Sequence, residues 1–289
     1  MDYFVSIENT PYCRWQIELL IESFRKHKME DKLVIGIANS DEPQVHAYTR
    51  NLFSHERKFV HTNIGCEVGY KPLNKPYAIY LAMNNGLLGD KFAVIHSDMI
   101  LLKPMDLTGP QENITFALDP VKNVGLDGFA GPYVNRILES KCIEGHPPLN
   151  VCGTLVFNRM PSIFFVQILR RMEQLIKNHA DNQEHLAAAA WLLTLYEGVG
   201  LFSFRSMIID RYMMSPFEGA HMLHYRIGVP LHFTKQHYRF DNSAIVFSMV
   251  ANDPFLAIKN LPETPFIAEM QSLASVCLAA NAIQEAKSA

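Results

Sequence analysis

The chain has 289 residues, 48% of them hydrophobic, and a formal net charge of -3. This length and apolar content suffice for an α/β domain with a sizeable buried core. The small negative charge gives no general attraction to nucleic acid or to an anionic membrane, so any anion-binding site must be local. We therefore expect no nucleic-acid partner.

Two further features of the sequence indicate the cellular compartment of the protein. No apolar run approaches the roughly 18 residues that a membrane span requires, and no charged n-region with a cleavage site follows Met1. The 5 cysteines are widely spaced and odd in number, which is typical of reduced thiols and not of a disulfide framework or a zinc cluster. These features predict a cytoplasmic protein without a membrane span.

The first hundred residues alternate between strand-like and helix-like segments. Short segments rich in apolar and β-branched residues predict strands at residues 3–7, 33–38, 58–61 and 92–95. A first helix carries Trp15, Leu19, Leu20, Ser23 and Phe24 on one face. Two more helices are expected, a short one from Pro43 to Leu52 and one that begins at Asn74 and ends near Gly86. This β-α-β-α-β-α-β order predicts one half of a doubly wound sheet.

The second half of the chain continues the α/β pattern. Strands are predicted at residues 114–118 and 154–157, and helices at residues 161–180 and 182–196. Residues 125–148 are irregular and rich in Gly, Pro and Asn, which is typical of a functional loop.

The C-terminal segment, residues 254–289, is expected to be a helical appendage. Its apolar residues recur at helical spacing, so the helix should pack on the body of the protein or on a second subunit. These residues are Phe266, Ile267, Met270, Leu273 and Cys277.

The strand at residues 92–95 ends in the polar step His96-Ser97-Asp98, after which apolar residues resume. Ligands of open α/β sheets bind beyond the carboxyl ends of such buried strands. Residues two apart in an extended chain face the same side, so His96 and Asp98 can face one divalent cation. A turn-capping aspartate and an ordinary strand-end histidine are the alternatives.

This polar step resembles the metal-binding Asp-x-Asp of the GT-A glycosyltransferases, with His96 in place of the first aspartate. The segments Tyr12-Cys13-Arg14-Trp15-Gln16 and Asn74-Lys75-Pro76 are similar to those of the plant hydroxyproline arabinosyltransferases and serine galactosyltransferases. Three later segments resemble the retaining galactosyltransferases of the glycogenin type. They are Gly153 to Asn158, Asn182-Gln183-Glu184 and His232-Phe233-Thr234, and all matches follow the family order.

The resemblance implies roles for particular residues. Asp98, His96 and His232 would hold Mn²⁺ or Mg²⁺, and Gln183 and Glu184 would act at the donor sugar. The charge of the diphosphate requires positive groups, for which Lys75, Lys235 and Arg239 are the candidates. The remaining expected donor contacts are Ser6, Glu8, Ser97 and Gly153.

The sequence thus predicts a GT-A fold, a Rossmann-like α/β mixed sheet, over residues 1–245, with a donor half to about residue 110 and an appendage at 246–289. The resemblance implies a metal-dependent, retaining glycosyltransferase that moves a hexose or pentose from a nucleotide diphosphate sugar, UDP-sugar foremost. The acceptor, a saccharide or a protein, stays open, and the C-terminal helix is the candidate contact of a homodimer.

Two alternatives to that function stay open. The first is a non-catalytic sugar-nucleotide or carbohydrate-binding protein on the same fold, in which His96 has ended turnover. The second is a nucleotidyltransferase, although the turn Glu8-Asn9-Thr10-Pro11 after the first strand is not the glycine-rich phosphate loop that such enzymes normally carry.

Overall fold

A mixed sheet of seven strands forms the centre of the computed structural model, which describes residues 1–39, 55–105, 114–118, 155–178, 186–197, 204–208, 222–224, 253–261 and 265–288. The sheet contains β1 (Asp2–Glu8), β2 (Leu33–Asn39), β3 (Lys58–Thr62), β4 (Lys91–Ile95), β6 (Ile114–Leu118), β7 (Leu155–Asn158) and β8 (Phe204–Ile208). Their order is β3-β2-β1-β4-β7-β6-β8.

The direction of the strands divides this sheet into two parts. Strands β3, β2, β1 and β4 are parallel, whereas β7 runs antiparallel to both of its neighbours, β4 and β6. Beyond β7, strands β6 and β8 pair in parallel. The short strands β5 (Met99–Leu101) and β9 (Met222–His224) form a separate antiparallel pair. The mixed α/β sheet predicted from the sequence is confirmed.

Helices connect and cover these strands. They are α1 (Pro11–Lys26), α2 (Ile64–Val68), α3 (Asn74–Asn84), α4 (Ile163–Asn178), α5 (Leu186–Glu197), α6 (Pro254–Lys259) and α7 (Pro265–Ser288). Helix α1 begins where its sequence favours a start, because the Thr10 Oγ1 accepts a hydrogen bond from the Cys13 N–H at 3.2 Å and Pro11 occupies the first turn.

The predicted elements agree with these bounds to within a few residues at each end. The first four strands appear where the sequence predicted them, and the helices predicted at residues 161–180 and 182–196 are α4 and α5. The helix predicted between Pro43 and Leu52 and the loop predicted at residues 125–148 lie outside the described residues.

Both faces of β1, β2 and β4 are buried, whereas the outer strand β3 is partly exposed. Phe4, Val34 and Phe92 pack on one side in a cluster with α3, α4 and α5. Their neighbours in sequence, Tyr3 and Ala93, point to the other side and join a cluster with α1. Because successive residues of a strand face opposite sides, a strand covered on both sides must be apolar throughout. This explains why the strands were predictable from apolar runs.

The face of α1 that the sequence predicted is shared between two clusters. Leu20 and Phe24 face the sheet. Trp15 and Leu19 instead join Ile100 of β5 in a third cluster, which the two C-terminal helices complete. The C-terminal residues of this cluster are Phe255, Ile258, Met270, Leu273, Ala274 and Cys277.

The C-terminal helices therefore pack on the body of the same chain, which is one of the two arrangements that the sequence left open. An ion pair between Lys26 Nζ and Glu269 Oε2, at 2.5 Å, joins α1 to α7 at the rim of this contact. The division into two domains at residue 245 stays a prediction. In the described part of the chain, no helix has the length and apolar character required to cross a membrane.

A guanidinium group ties together the amino ends of the central strands. Arg57 Nη1 donates to Asp2 Oδ1 and to the Asp31 carbonyl, both at 2.6 Å, and its Nη2 donates to the Leu87 carbonyl. Asp2 also accepts from the Gly89 N–H at 2.8 Å. This edge of the sheet is thus closed by hydrogen bonds to charged groups, which are stronger than neutral ones.

We expect the substitution Arg57→Met to lower the free energy of unfolding by about 1–2 kcal/mol, because a partly exposed charged donor would lose several acceptors at once. Urea unfolding followed by circular dichroism measures this change. The control is Lys58→Met at the exposed neighbouring position, which should stay within about 0.5 kcal/mol of the parent. Equal effects of the two substitutions would contradict the structural role of Arg57.

Candidate functional site

A cavity of about 290 Å³ opens at the carboxyl edge of the parallel strands. Its walls come from the end of β1, from the start of α1 and from the segment that begins α3. The lining residues are Ser6, Ile7, Glu8, Thr10, Tyr12, Cys13, Lys71, Pro72, Asn74 and Lys75.

The topology of the sheet explains why a cavity forms there. From β1 the chain moves outward to β2 and β3, then returns to the opposite side of β1 as β4. Helix α1, which follows β1, and helix α3, which precedes β4, pack on opposite faces of the sheet, and the cavity lies between their first residues beyond the carboxyl end of β1. Ligands of open α/β sheets bind at this kind of switch point. The cavity therefore lies where the fold favours binding.

A buried amide network fixes the start of α3 against α2. The Asn74 side chain donates to Asn63 Oδ1 at 2.7 Å and accepts from the Gly65 N–H at 3.1 Å. Asn63 caps α2 by accepting from the Cys66 N–H at 3.0 Å. Since the two asparagines are buried and lie 11 positions apart, no local sequence pattern revealed their pairing. The network holds the adjacent Lys75 at the cavity.

Lys75 lies beside the polar step that follows β4. Its Nζ is 3.3 Å from His96 Nε2. Burial lowers the pKa of Lys75 to about 8, and the negative charge of Asp98 opposes this shift. A lysine with few competing water molecules and a carboxylate nearby is suited to pairing with an incoming anion.

The contact with Lys75 fixes which ring nitrogen of a neutral His96 carries the proton. An ammonium group can only donate, so Nε2 of a neutral His96 must accept and its ring proton must lie on Nδ1. The Nε2 lone pair that a metal ion would require is directed at Lys75 in this arrangement. A cation could be bound through Nε2 only after Lys75 moves away.

The backbone around Asp98 differs from the extended chain that the sequence argument assumed. Strand β4 ends at Ile95, and Ser97 and Asp98 form a turn before β5 begins at Met99. The alternation rule therefore does not apply to His96 and Asp98. Among the described residues, no three His, Cys, Asp or Glu side chains come together as a metal site. The predicted metal roles of Asp98 and His96 stay predictions.

The predicted donor-binding residues lie in two places. Ser6, Glu8 and Lys75 line the cavity. Glu8 Oε2 pairs with Lys71 Nζ at 2.9 Å, while no donor in the described part of the chain reaches its buried Oε1. Ser97 is not among the lining residues; its hydroxyl donates to Gln16 Oε1 at 3.2 Å.

The other predicted site residues lie outside the described residues. They are Gly153, Gln183, Glu184, His232, Lys235 and Arg239. Their assignments stay predictions. Asn63 and Gln16, which hold parts of the site in place, were not assigned a role from the sequence.

Comparison with known proteins gives structural likenesses only. No protein-family profile matches the chain, and no curated protein matches it. The solved structures that resemble it include the glycosyltransferase GlyE of Streptococcus pneumoniae TIGR4, with 16% identity and a TM-score of 0.46 over 87% of this chain and 64% of that one.

Two further likenesses are of the same kind. The bifunctional glycosyltransferase WbbM has 13% identity and a TM-score of 0.46, covering 78% of this chain and 45% of that one. The galactosyltransferase LgtC, in complex with donor and acceptor sugar analogs, has 13% identity and a TM-score of 0.45, covering 92% and 98%. The chain thus spans less than two thirds of the length of GlyE and WbbM.

All three proteins are glycosyltransferases, the class of enzymes whose motifs this sequence resembles. Because these TM-scores lie below 0.5, the likenesses add no argument about the activity of this chain. The α/β fold class stands on the strand order described above.

We expect Gly65→Ala to destabilise the protein by about 1–3 kcal/mol, because the new Cβ would lie 2.7 Å from the Lys71 Cα and 2.9 Å from the Tyr70 carbonyl oxygen. Backbone atoms cannot yield as a flexible side chain can. Thermal unfolding tests this against Gly89→Ala, whose Cβ would meet only Asp2 Oδ2 at an ordinary 3.4 Å. Equal stability of the two variants would contradict the close packing of α2 on the start of α3.

We also expect stability to fall as the pH drops below about 6.5, the value for an unperturbed histidine. Burial lowers the pKa of His61, whose Nδ1 lies 2.8 Å from the Thr62 carbonyl, and also that of His55. Below pH 6.5 the unfolded chain therefore binds protons that the folded chain does not, and stability is lost.

Urea unfolding between pH 7.5 and 5.5 measures this dependence, with a limit of about 1.4 kcal/mol per pH unit for each histidine. The variant His61→Phe should show a shallower slope, with His55 accounting for part of what remains. If His61→Phe and the parent chain have the same slope, His61 does not titrate as expected.

Proposed function

We propose that this chain is a glycosyltransferase that takes a sugar from a nucleoside diphosphate sugar. The observation that supports this most directly is the cavity at the switch point between β1 and β4, with Lys75 in its wall and the polar step His96-Ser97-Asp98 next to Lys75. This arrangement offers a pocket, a cationic group and a carboxylate at one edge of the sheet.

The chemistry of glycosyl transfer requires these groups. Breaking the bond between a sugar and a diphosphate leaves negative charge on the departing phosphate, which fixed positive groups stabilise best where water is scarce. Lys75 is such a group, since it is held by a helix start that the Asn63 and Asn74 amides fix. A diphosphate would compete with His96 for its ammonium group.

A divalent cation, Mn²⁺ or Mg²⁺, would supply further positive charge to the departing diphosphate. Asp98 has the oxygen ligands that such hard cations prefer. His96 fits this role once its Nε2 no longer accepts from Lys75, and His232 is the third ligand implied by the sequence resemblance. Metal dependence is therefore part of the proposal.

The finer features of the proposal come from the sequence resemblance. They are transfer with retention of configuration, action of Gln183 and Glu184 at the donor sugar, phosphate contacts from Lys235 and Arg239, and a UDP-linked hexose or pentose as donor. The cytoplasmic location predicted from the sequence is consistent with a nucleotide-sugar donor. A binding protein without turnover is the competing function.

Binding of nucleoside diphosphates tests the first part of this proposal. Calorimetry with UDP, GDP, ADP and CDP, each with and without Mn²⁺, should show one preferred base whose affinity rises when the metal is present. We expect Lys75→Met to weaken that binding about tenfold or more, because a charge-assisted hydrogen bond to phosphate would be lost.

The matched control is Lys58→Met, at an exposed lysine on the opposite edge of the sheet. It should bind the nucleotide as the parent does. Absence of binding to every diphosphate, or equal affinity of the two variants, would overturn the proposed role of this cavity.

Turnover separates an enzyme from a binding protein. Incubation of the preferred sugar nucleotide with Mn²⁺ should release free sugar slowly by hydrolysis, and nuclear magnetic resonance of the first sugar released reports its anomeric configuration. Tight binding with no release of sugar, alone or with a panel of saccharide acceptors, would favour the binding protein.

A further inference from the structure

The helical segment Tyr12-Cys13-Arg14-Trp15-Gln16 contains a buried side-chain amide to which the proposed function gives no role. Gln16 is only 1% exposed, and its neighbours Trp15 and Ile17 belong to apolar clusters. A buried amide costs free energy unless its polar atoms form hydrogen bonds. The partners of Gln16 therefore indicate what this side chain does.

Both ends of the Gln16 amide are hydrogen-bonded. Nε2 donates to the Tyr12 carbonyl at 2.8 Å, and Oε1 accepts from the Ser97 hydroxyl at 3.2 Å. A carbonyl can only accept, so the Tyr12 oxygen determines which end of the amide is nitrogen. The oxygen end must then face Ser97, and the hydroxyl of Ser97 must be the donor. The chemistry of the partners thus leaves one arrangement.

The bond from Gln16 reaches the turn that carries Asp98. Ser97 and Asp98 lie between the end of β4 and the start of β5, so the strand pairing described for this sheet does not include them. Gln16 lies 81 positions earlier in the chain, on α1. Asp98 itself is 5% exposed, and its carboxylate is thus held in a restricted environment. Helix α1 supplies a side-chain contact to this turn.

The same helix also holds the chain that follows the turn. Ser23 Oγ accepts from the Leu101 N–H at 2.9 Å and donates to the Leu20 carbonyl at 2.6 Å. These bonds fix β5, four residues beyond Ser97. Gln16 and Ser23 therefore hold two successive points of one segment, and Gln16 holds the point next to Asp98.

We propose that Gln16 is a positioning residue that, through Ser97, fixes the turn in which Asp98 binds the divalent cation of a nucleoside diphosphate complex. This inference rests on the proposed function, because Asp98 has that task only if the chain binds a metal and a nucleotide. Gln16 itself touches neither of them.

Binding measurements with Gln16→Leu, Ser97→Ala and the double variant test this role. Leucine keeps the size of the side chain and removes the amide, whereas Ser97→Ala removes the same bond without altering α1. We expect each to weaken binding of the preferred nucleoside diphosphate about tenfold when Mn²⁺ is present, and to leave metal-free binding unchanged. Each variant loses the same hydrogen bond between Ser97 and Gln16. The double variant should therefore bind the nucleoside diphosphate no more weakly than Gln16→Leu alone.

The matched control is Gln271→Leu, in the C-terminal helix. Gln271 Nε2 likewise donates to backbone carbonyls, those of Lys259 and Leu261, at 3.1 and 2.8 Å. Loss of these hydrogen bonds should change the stability of the protein but leave the Mn²⁺-dependent part of nucleotide binding unchanged. A general loss of stability would instead affect binding with and without Mn²⁺ alike.

Hydrogen exchange of the ligand-free protein gives a readout that does not depend on nucleotide binding. We expect amides of the peptide covering residues 96–99 to exchange faster in Gln16→Leu and in Ser97→Ala than in the parent, and at the parent rate in Gln271→Leu. Unchanged exchange in both variants would overturn the positioning role, whether or not the chain binds a nucleotide.

The two measurements together separate the inference from the proposed function. If the parent chain binds no diphosphate, the proposed function fails, and with it the task assigned to Asp98. If the parent binds with Mn²⁺ but Gln16→Leu and Ser97→Ala bind equally well, only the positioning role of Gln16 is wrong.

Discussion

Burial of both faces of β1, β2 and β4 restricts where this protein can carry polar groups. Phe4, Val34 and Phe92 face α3, α4 and α5, while Tyr3 and Ala93 face α1. A sheet covered on both sides leaves only its edges for polar chemistry. At the amino edge, Arg57 closes the ends of the strands with hydrogen bonds. The cavity opens at the carboxyl edge, beyond the end of β1.

Helix α1 connects three parts of the molecule at that edge. Its Leu20 and Phe24 pack on the sheet, and its Trp15 and Leu19 pack on the C-terminal helices and on Ile100. Its Gln16 contacts the turn that contains Asp98 through Ser97. A rigid helix held on two sides by apolar packing is suited to fixing a short turn, since the geometry of a site is best held by elements that cannot themselves move.

The electrostatics of the site depend on one buried cation. Lys75 lies beside His96, burial lowers its pKa to about 8, and the charge of Asp98 opposes that change. Removing an ammonium group from water is costly, which lowers the pKa of Lys75, and the negative charge of Asp98 limits that decrease. The Asn63 and Asn74 amides place it there by fixing the start of α3. The cavity thereby has a buried lysine in its wall.

The central strands, the α/β class and the location of the polar step could be predicted from the amino-acid sequence, because a strand buried on both faces must be apolar throughout and its end is marked by the first polar residues. Its motifs also indicated the class of enzyme to which the chain is similar. The turn at Ser97 and Asp98, the contact of Lys75 with His96 Nε2 and the hydrogen bond between Ser97 and Gln16 became known from the folded structure. The contacts of Lys75 and Gln16 join residues 21 and 81 positions apart, and pairing over such distances depends on how helices pack, which no local pattern of residues specifies.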